Sequence, residues 1–240
     1  MYEKLADYYD IFMYDTPYDE WCEYLTKYLP NGGVGMDIGC GTGAFTTRLA
    51  SKGYDVTGAD ISPQMLQIAQ SNARAYRLSI NFVLQGAENF TTHRPLDFIT
   101  ANCDVVNYLK NPKKFFARAY QKLKNGGVLA FDISSAYKLK NILGNQVYTA
   151  QKDGVTYVWE NSCDEKRKTV DMKLTFFAPN GNGLYTKSED EQTQFIHECD
   201  DLVGQLTVAG FKKVEVFGFL SQNPPKASEE RLHFIAYKYE

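Results

Sequence analysis

Three glycines in the run Gly35-Met36-Asp37-Ile38-Gly39-Cys40-Gly41-Thr42-Gly43-Ala44-Phe45 join a short apolar strand to a helix, and an acid, Asp60, ends the next apolar segment. Glycine tolerates positive φ and leaves the main chain bare, so a ligand can lie against it, while the helix that follows presents unpaired N–H groups at its start. Gly39, Gly41 and Ala44 fit the G-x-G-x-x-G/A fingerprint of a dinucleotide turn, and an acid about 20 residues on suits a ribose. One ionised carboxylate can accept from both vicinal hydroxyls. By spacing alone the turn serves a nicotinamide dinucleotide or another ribose-bearing cofactor equally well.

The elements that would position these residues alternate between strand and helix from residue 34 onward: strands at 34–38, 54–59, 80–84, 96–101 and 127–133, with helices at 43–52, 63–76 and 112–123. Such alternation predicts a parallel sheet covered on both faces by helices. Ser62-Pro63 and Asn111-Pro112 each place a capping residue before a proline at the first helical position, and Gly126-Gly127 stops the third helix. A helix at 199–209 closes at Gly210. Strands near 212–219 and 231–239 follow, joined through Asn223-Pro224-Pro225 without a crossover helix, so this last pair is expected to be antiparallel.

Two further segments stand outside that rhythm. Tyr2, Leu5, Tyr9, Phe12 and Met13, then Trp21, Cys22, Leu25, Tyr28 and Leu29, follow helical spacing on either side of Pro17 and predict an N-terminal helical cap over residues 1–30. Residues 136–198 read as an insertion: a short helix near 136–143, then period-two alternation in which Val170, Met172, Leu174 and Phe176 oppose Thr169, Asp171, Lys173 and Thr175. Turns at Asp153-Gly154, Asp164-Glu165-Lys166 and Asn180-Gly181-Asn182-Gly183 divide it into an antiparallel meander of three or four strands joined by hairpins. The whole is one α/β domain, with a core at 31–135 and 199–240.

Composition narrows the function. The chain has 240 residues, 44% hydrophobic and 23% charged, an ordinary globular balance. A net charge of -3 argues against a sequence-independent hold on nucleic acid, which needs clustered Lys and Arg. The basic residues between Lys110 and Lys124 read as a solvated helix face. No apolar run approaches the length needed to span a bilayer. Five cysteines without a C-x-x-C pair suit a reducing, cytoplasmic setting. His93, His197 and His233 are scattered, which predicts no metal site, and neither a serine nucleophile elbow nor a phosphate loop ending in Gly-Lys-Ser/Thr is present.

Asp37 before the Gly39-x-Gly41-x-Gly43 turn resembles the first motif of the class I S-adenosylmethionine-dependent methyltransferases. The resemblance runs through most of 33–133 and again through 199–239. Gly58-Ala59-Asp60-Ile61-Ser62-Pro63-Gln64-Met65-Leu66 is similar to the family's second motif, Leu96-Asp97-Phe98-Ile99-Thr100-Ala101-Asn102-Cys103-Asp104 to its fourth-strand motif, and Leu123-Lys124-Asn125-Gly126-Gly127-Val128-Leu129 to the run into strand five. An antiparallel ending also fits that family rather than a dehydrogenase. The resemblance implies a Rossmann-like, seven-stranded, mostly parallel sheet with an antiparallel last strand, S-adenosylmethionine as methyl donor, and S-adenosylhomocysteine as product.

It also assigns roles. Gly39, Cys40 and Gly41 would line the methionine and ribose moieties through their backbone, with Asp37 and Gly43 completing the motif. Asp60 would hold the ribose, and Ile61 and Met65 would pack on the adenine. Asn102, Cys103 and Asp104 would border the methyl-transfer site. Many relatives carry an acid after the third strand that accepts from the adenine amino group, but here Gly86 occupies that place in Gln85-Gly86-Ala87-Glu88-Asn89-Phe90. The Ala87 backbone, or the Gln85 or Glu88 side chain, would substitute. Ala6-Asp7-Tyr8-Tyr9-Asp10 and Tyr18-Asp19-Glu20-Trp21 resemble the preface of small-molecule methyltransferases. Tyr9 is therefore a candidate neighbour of the sulfonium, whose charge an aromatic face attracts, and Tyr18 and Trp21 are candidate pocket residues.

In-line displacement from a sulfonium mainly needs the acceptor aligned in a dry pocket, so catalysis is expected to rest on positioning. Should the acceptor lose a proton, His197, Glu198 and Tyr9 are candidate bases. Tyr157, Trp159 and Tyr185 are candidate walls of a pocket that the insertion forms over the site. The expected acceptor is a small molecule. RNA methylation, with tyrosines stacking on bases, and a non-catalytic cofactor-binding or assembly protein on the same fold are the alternatives.

Overall fold

The computed structural model describes residues 6–239, so Tyr2 and Leu5 of the first amphipathic pattern lie outside the described residues. Two short helices, α1 (Tyr9–Phe12) and α2 (Tyr18–Thr26), lead into β1 (Val34–Ile38), α3 (Ala44–Ser51), β2 (Asp55–Asp60), α4 (Pro63–Ala75), β3 (Asn81–Leu84) and β4 (Leu96–Ala101). Next come α5 (Lys113–Lys122) and β5 (Leu123–Ser134), then β6 (Val147–Lys152), β7 (Val155–Asp164), β8 (Thr169–Pro179) and β9 (Tyr185–Phe195). The chain closes with α6 (Cys199–Ala209), β10 (Lys213–Gly218) and β11 (Arg231–Tyr237).

Seven strands form the main sheet in the order β10-β11-β5-β4-β1-β2-β3. β1 to β5 pair in parallel, and β11 runs antiparallel to both β5 and β10. This is the Rossmann-like arrangement with its reversed last strand. Strand order switches direction beside β1, where β4 and β2 lie on opposite sides, and the carboxyl ends there open a crevice in which such sheets bind ligands.

Both faces of the sheet are buried, which is why its central strands are nearly continuous apolar runs. On one face Leu129, Phe131 and Ile133 of β5 pack with Ile99, Ala101 and Phe234 against Phe115, Phe116 and Ala119 of α5 and Leu202 and Leu206 of α6. The alternate residues Val128 and Ala130 join Phe98 and Ile235 against Trp21 and Leu25 of α2 and Phe45 and Leu49 of α3. Phe131 and Phe234 stack at 4.8 Å with both rings fully buried, so truncating either to alanine costs about 3–5 kcal/mol.

The local signals mostly place the helix ends. Ser62 Oγ accepts from the Met65 N–H at 3.2 Å and Pro63 is the first helical residue. α5 starts one residue later than its sequence suggests: Asn111 Oδ1 accepts from the Lys113 N–H at 3.3 Å, leaving Pro112 in the capping position. β5 begins at Leu123 rather than 127, because Leu123 already pairs with Leu96 before the register shifts at Phe98. The short helix expected near 136–143 is a wide π-turn, Lys138–Leu143.

β6 to β9 form a separate four-stranded antiparallel sheet in sequence order. Asp153 and Gly154 both have positive φ, +51° and +79°, giving the two-residue turn whose twist matches its flanking strands. Val170, Met172 and Phe176 are buried as the alternation predicts, and the first two pack on Leu139 and Leu143 of the π-turn, but Leu174 is only half-buried and Thr169 and Thr175 of the opposing set are buried too. The N-terminal pattern departs from expectation. α1 is one turn long, too short to stand by itself, and it is held by tertiary contacts: Tyr8 stacks on Phe176 at 5.0 Å and Phe12 meets Tyr157 edge-on at 4.4 Å.

Candidate functional site

The chain leaves β1 at Ile38 and turns through Gly39, Gly41 and Gly43, whose φ values are +67°, +54° and +83°. A Cβ on Gly39 would stand 2.4 Å from Val105 Cγ2, so this glycine is a packing requirement. Around Gly41 no atom lies within 4 Å of the Cβ position, and its bare backbone faces the cavity described below. Asp60 fixes the turn: its Oδ2 accepts from the Gly41 N–H at 2.9 Å and its Oδ1 from the Ser62 N–H at 2.8 Å. Burial raises the Asp60 pKa, and those N–H groups partly oppose the rise. Each carboxylate oxygen retains acceptor capacity for a further donor.

Asp37 lies beneath the turn and outside the cavity wall. Thr46 of α3 donates to its Oδ2 at 2.7 Å and Thr100 of β4 to its Oδ1 at 2.8 Å, so the acid ties three elements together. Burial pushes its pKa up to about 6 despite those two donors.

A cavity of about 650 Å³ opens along the carboxyl edge of the main sheet. Of the residues singled out by sequence, Tyr9, Trp21, Gly39, Gly41, Asp60, Ile61, Met65, Gly86, Ala87, Cys103, Asp104, Tyr157 and Trp159 line it. Gln85 lines it too, beside Gly86. Cys40 and Asn102 are buried next to lining residues, and Gly43 caps α3. Neither amide atom of Asn102 has a hydrogen-bond partner among the described residues.

Other candidates are placed elsewhere. Glu88 is exposed. Tyr18 stands just behind the wall: its ring is edge-on to Phe45 at 5.3 Å with the Arg48 guanidinium 5.1 Å away, and its side chain hydrogen-bonds to Tyr9. Tyr185 begins β9 at the end of a hairpin and is exposed. His197 directs Nε2 to the Leu109 carbonyl at 3.0 Å, and burial lowers its pKa. Glu198 pairs with Lys140 at 2.9 Å where α6 begins. The departing chain turns from β9 into α6 at these two residues, which carries both side chains away from the cavity wall.

Sequence reasoning missed a buried ionic cluster on that wall. Arg231, at the start of β11, hydrogen-bonds through Nη1 to both Asp104 and Asp132, and its guanidinium lies 5.1 Å from the Trp21 ring. Asp132 Oδ1 also accepts from the Cys103 N–H at 2.7 Å. Cys103 and Asp104 occupy the left-handed region, φ +58° and +66°, where non-glycine residues are uncommon. Burial opposes ionisation of Asp104, but Arg231 and Lys138 outweigh it and hold its pKa below the ordinary value. Burial and the adjacent Asp104 charge push Asp132 up to about 7 against the pull of Arg231. A polar residue within the apolar run Phe131-Asp132-Ile133, at the carboxyl end of a strand, was the available signal for Asp132. For Arg231, 127 positions from Asp104, there was none.

The family model describing a methyltransferase domain matches residues 36–127. Over 245 aligned positions the chain is 34% identical to a putative methyltransferase of Geobacillus sp. (strain WCH70), with 99% of each protein covered. The chain belongs to the class I S-adenosylmethionine-dependent methyltransferases. This methyltransferase is also 30% identical to the putative methyltransferase YqeM of Bacillus subtilis (strain 168), covering 99% of its own length and 97% of the relative. The crystal structure of an S-adenosylmethionine-dependent methyltransferase from Clostridium acetobutylicum ATCC 824 matches it with a TM-score of 0.88 at 27% identity, covering 100% and 99% of the two chains.

S-adenosylmethionine is thus the cofactor of the methyltransferase, and the nicotinamide alternative falls. The residues present suit that group: Gly41 leaves open space where a side chain would stand, Asp60 keeps acceptor capacity at the cavity wall, and the buried Asn102 amide has two polar atoms to satisfy. Among the described residues no helix is long and apolar enough to cross a membrane.

Proposed function

We propose that this methyltransferase methylates a small molecule held between the carboxyl edge of the main sheet and the β6–β9 sheet. The observation that carries the reading is the continuity of one cavity, from Gly41 and Asp60 at one end to Tyr157, Trp159, Met172 and Phe176 of β7 and β8. Its volume of about 650 Å³ lies within the range of pockets that enclose small ligands. In this reading residues 1–30 are a cap, 31–135 and 199–240 the core, and 136–198 an insertion that shapes the acceptor side of a single domain.

The bound cofactor supplies an activated methyl on a sulfonium. The backbone of Gly39, Cys40 and Gly41 follows its methionine and ribose parts, and Asp60 accepts from the ribose hydroxyls. Ile61 and Met65 pack on the adenine, and the Ala87 backbone takes the place of the acid that Gly86 lacks, because the Gln85 amide is held at both ends by Thr91, accepting from its N–H at 2.7 Å and donating to its hydroxyl at 3.2 Å. Asn102, Cys103 and Asp104 border the transfer position, with Tyr9 above it. Arg231 and Asp132 fix that strained corner. The protein's contribution is alignment and exclusion of water, which turns a bimolecular displacement into an effectively unimolecular one.

Calorimetry tests the cofactor roles: S-adenosylmethionine and S-adenosylhomocysteine should bind in the micromolar range and NAD should not. Incubation with methyl-labelled donor then separates acceptors. Label in the small-molecule fraction of a metabolite extract supports the reading, label in added total RNA overturns it, and binding without turnover indicates a non-catalytic protein.

A further inference from the structure

β9 is polar along most of its length, Tyr-Thr-Lys-Ser-Glu-Asp-Glu-Gln-Thr-Gln-Phe, yet its inward residues Gln192 and Gln194 are 6% and 3% exposed. Both line the cavity, as does Trp159. The register sets them on one face: Gln194 lies opposite Val170, Gln192 opposite Met172, and Trp159 opposite Leu174. A strand that only covers a core places aliphatic residues at such positions.

Each of the three carries a buried polar atom with no partner among the described residues: Gln192 Nε2, Gln194 Oε1 and Trp159 Nε1. Gln192 is oriented by Tyr108, whose hydroxyl donates to Oε1 at 2.8 Å and leaves the amide N–H group as the free end. Buried polar atoms are nearly always paired in folded proteins, and unpaired ones call for a ligand or a specific role. Turned toward a ligand, these lining side chains would supply N–H donors from Gln192 and Trp159 and a carbonyl acceptor from Gln194. An anion would meet the Gln194 carbonyl, and a cation the two N–H groups, so the set favours a neutral group that both accepts and donates.

The surrounding wall is aromatic. Phe12 meets Tyr157 edge-on at 4.4 Å, and Tyr157 and Phe176 lie 6.3 Å apart between centroids. Flat apolar surfaces of this kind suit a planar ligand.

We propose that Gln192, Gln194 and Trp159 form the specificity edge for the methyl acceptor, and that the acceptor is a neutral, planar molecule presenting a hydrogen-bond acceptor beside a donor, as a carboxamide or lactam does. The inference rests on the proposed role of this cavity as the methyl-transfer site.

Benzamide, benzoate and benzylamine share a ring and differ in the charge of their polar edge. Each is titrated by ligand-observed NMR into the enzyme with and without saturating S-adenosylhomocysteine. Benzamide should bind at least about fivefold tighter than the two ions, the effect of one well-made hydrogen bond. The Gln192→Leu/Gln194→Leu double variant should lose that preference while its affinity for S-adenosylhomocysteine, read by calorimetry, stays unchanged. Gln194→Leu alone should melt at or above the wild-type temperature, because it removes an unsatisfied buried carbonyl, and Trp159→Phe should weaken benzamide binding while keeping the ring.

Equal or tighter binding of benzoate or benzylamine, no binding of benzamide, a preference that survives the double variant, or a lowered melting temperature in Gln194→Leu would each overturn the inference. Failure of the wild-type enzyme to bind S-adenosylhomocysteine would instead remove the methyl-transfer reading, and the arms run without it still test the edge.

Discussion

Oδ2 of Asp60 accepts the backbone N–H of Gly41 at 2.9 Å, so the acid at the end of β2 also holds the glycine turn after β1. The two features are 19 positions apart, and the parallel pairing of β1 with β2 brings them together. Asp60→Ala is expected to act twice. Leaving the Gly41 and Ser62 N–H groups without their acceptor should cost about 1–3 kcal/mol in urea unfolding. Affinity for S-adenosylhomocysteine should also fall by at least about tenfold in calorimetry. Unchanged affinity would remove the ribose role.

Arg231 compensates two buried carboxylates, Asp132 with a fully buried side chain and Asp104 with one 18% exposed. Arg231→Met leaves both without their cation and should destabilise the fold by about 3–5 kcal/mol at pH 7.5. The deficit should shrink at pH 5, where Asp132, with its pKa pushed up to about 7, is protonated. A loss independent of pH would show that the ring contacts of Arg231, not its charge, matter most.

Asp37 gives a second pH signature. The folded protein holds its proton up to about pH 6, whereas the unfolded chain releases it near 3.8. Its stabilising contribution is therefore full below pH 3.8 and is lost as pH rises to about 6. Relative to wild type, Asp37→Asn should gain about 2–3 kcal/mol between pH 4 and pH 7 in chemical denaturation. The Thr46 and Thr100 hydroxyls can re-pair with an amide. A constant difference across that range would place the Asp37 charge elsewhere.

His233 titrates with the opposite sense. It sits among Trp21, Tyr24 and Phe219, neither ring nitrogen has a partner among the described residues, and burial, with Arg231 nearby, pushes its pKa down to about 3. The unfolded chain takes up the proton from pH 6.5 downward, so stability present above that value is lost as pH falls toward 3. His233→Phe should gain about 2 kcal/mol on wild type between pH 7 and pH 5. Parallel stability curves for the two proteins would contradict this.

Much of the main sheet could be read from period and punctuation. Ser62-Pro63 starts α4 where its hydroxyl caps Met65, and the absence of a crossover helix before β11 implied its reversal. Those signals are short-ranged. The N-terminal pattern misled because α1 owes its position to Phe176 and Tyr157 on the other sheet rather than to its own periodicity. His197 and Glu198 carry suitable chemistry, but the turn from β9 into α6 gives them to Leu109 and Lys140.

The glycine turn, the acid that follows it, and the order of strand and helix that makes a ligand crevice are all legible in the chain read alone. Each is encoded in residues that are neighbours or fall on one period of a strand or helix. Which polar residues become buried is set by tertiary packing: Gln192 and Gln194 on a strand of mostly polar residues, and Arg231 bridging to Asp104 from 127 positions away. Burial and ion pairing between distant segments depend on where sheets and loops come to rest against one another, and no local pattern of residue types records that.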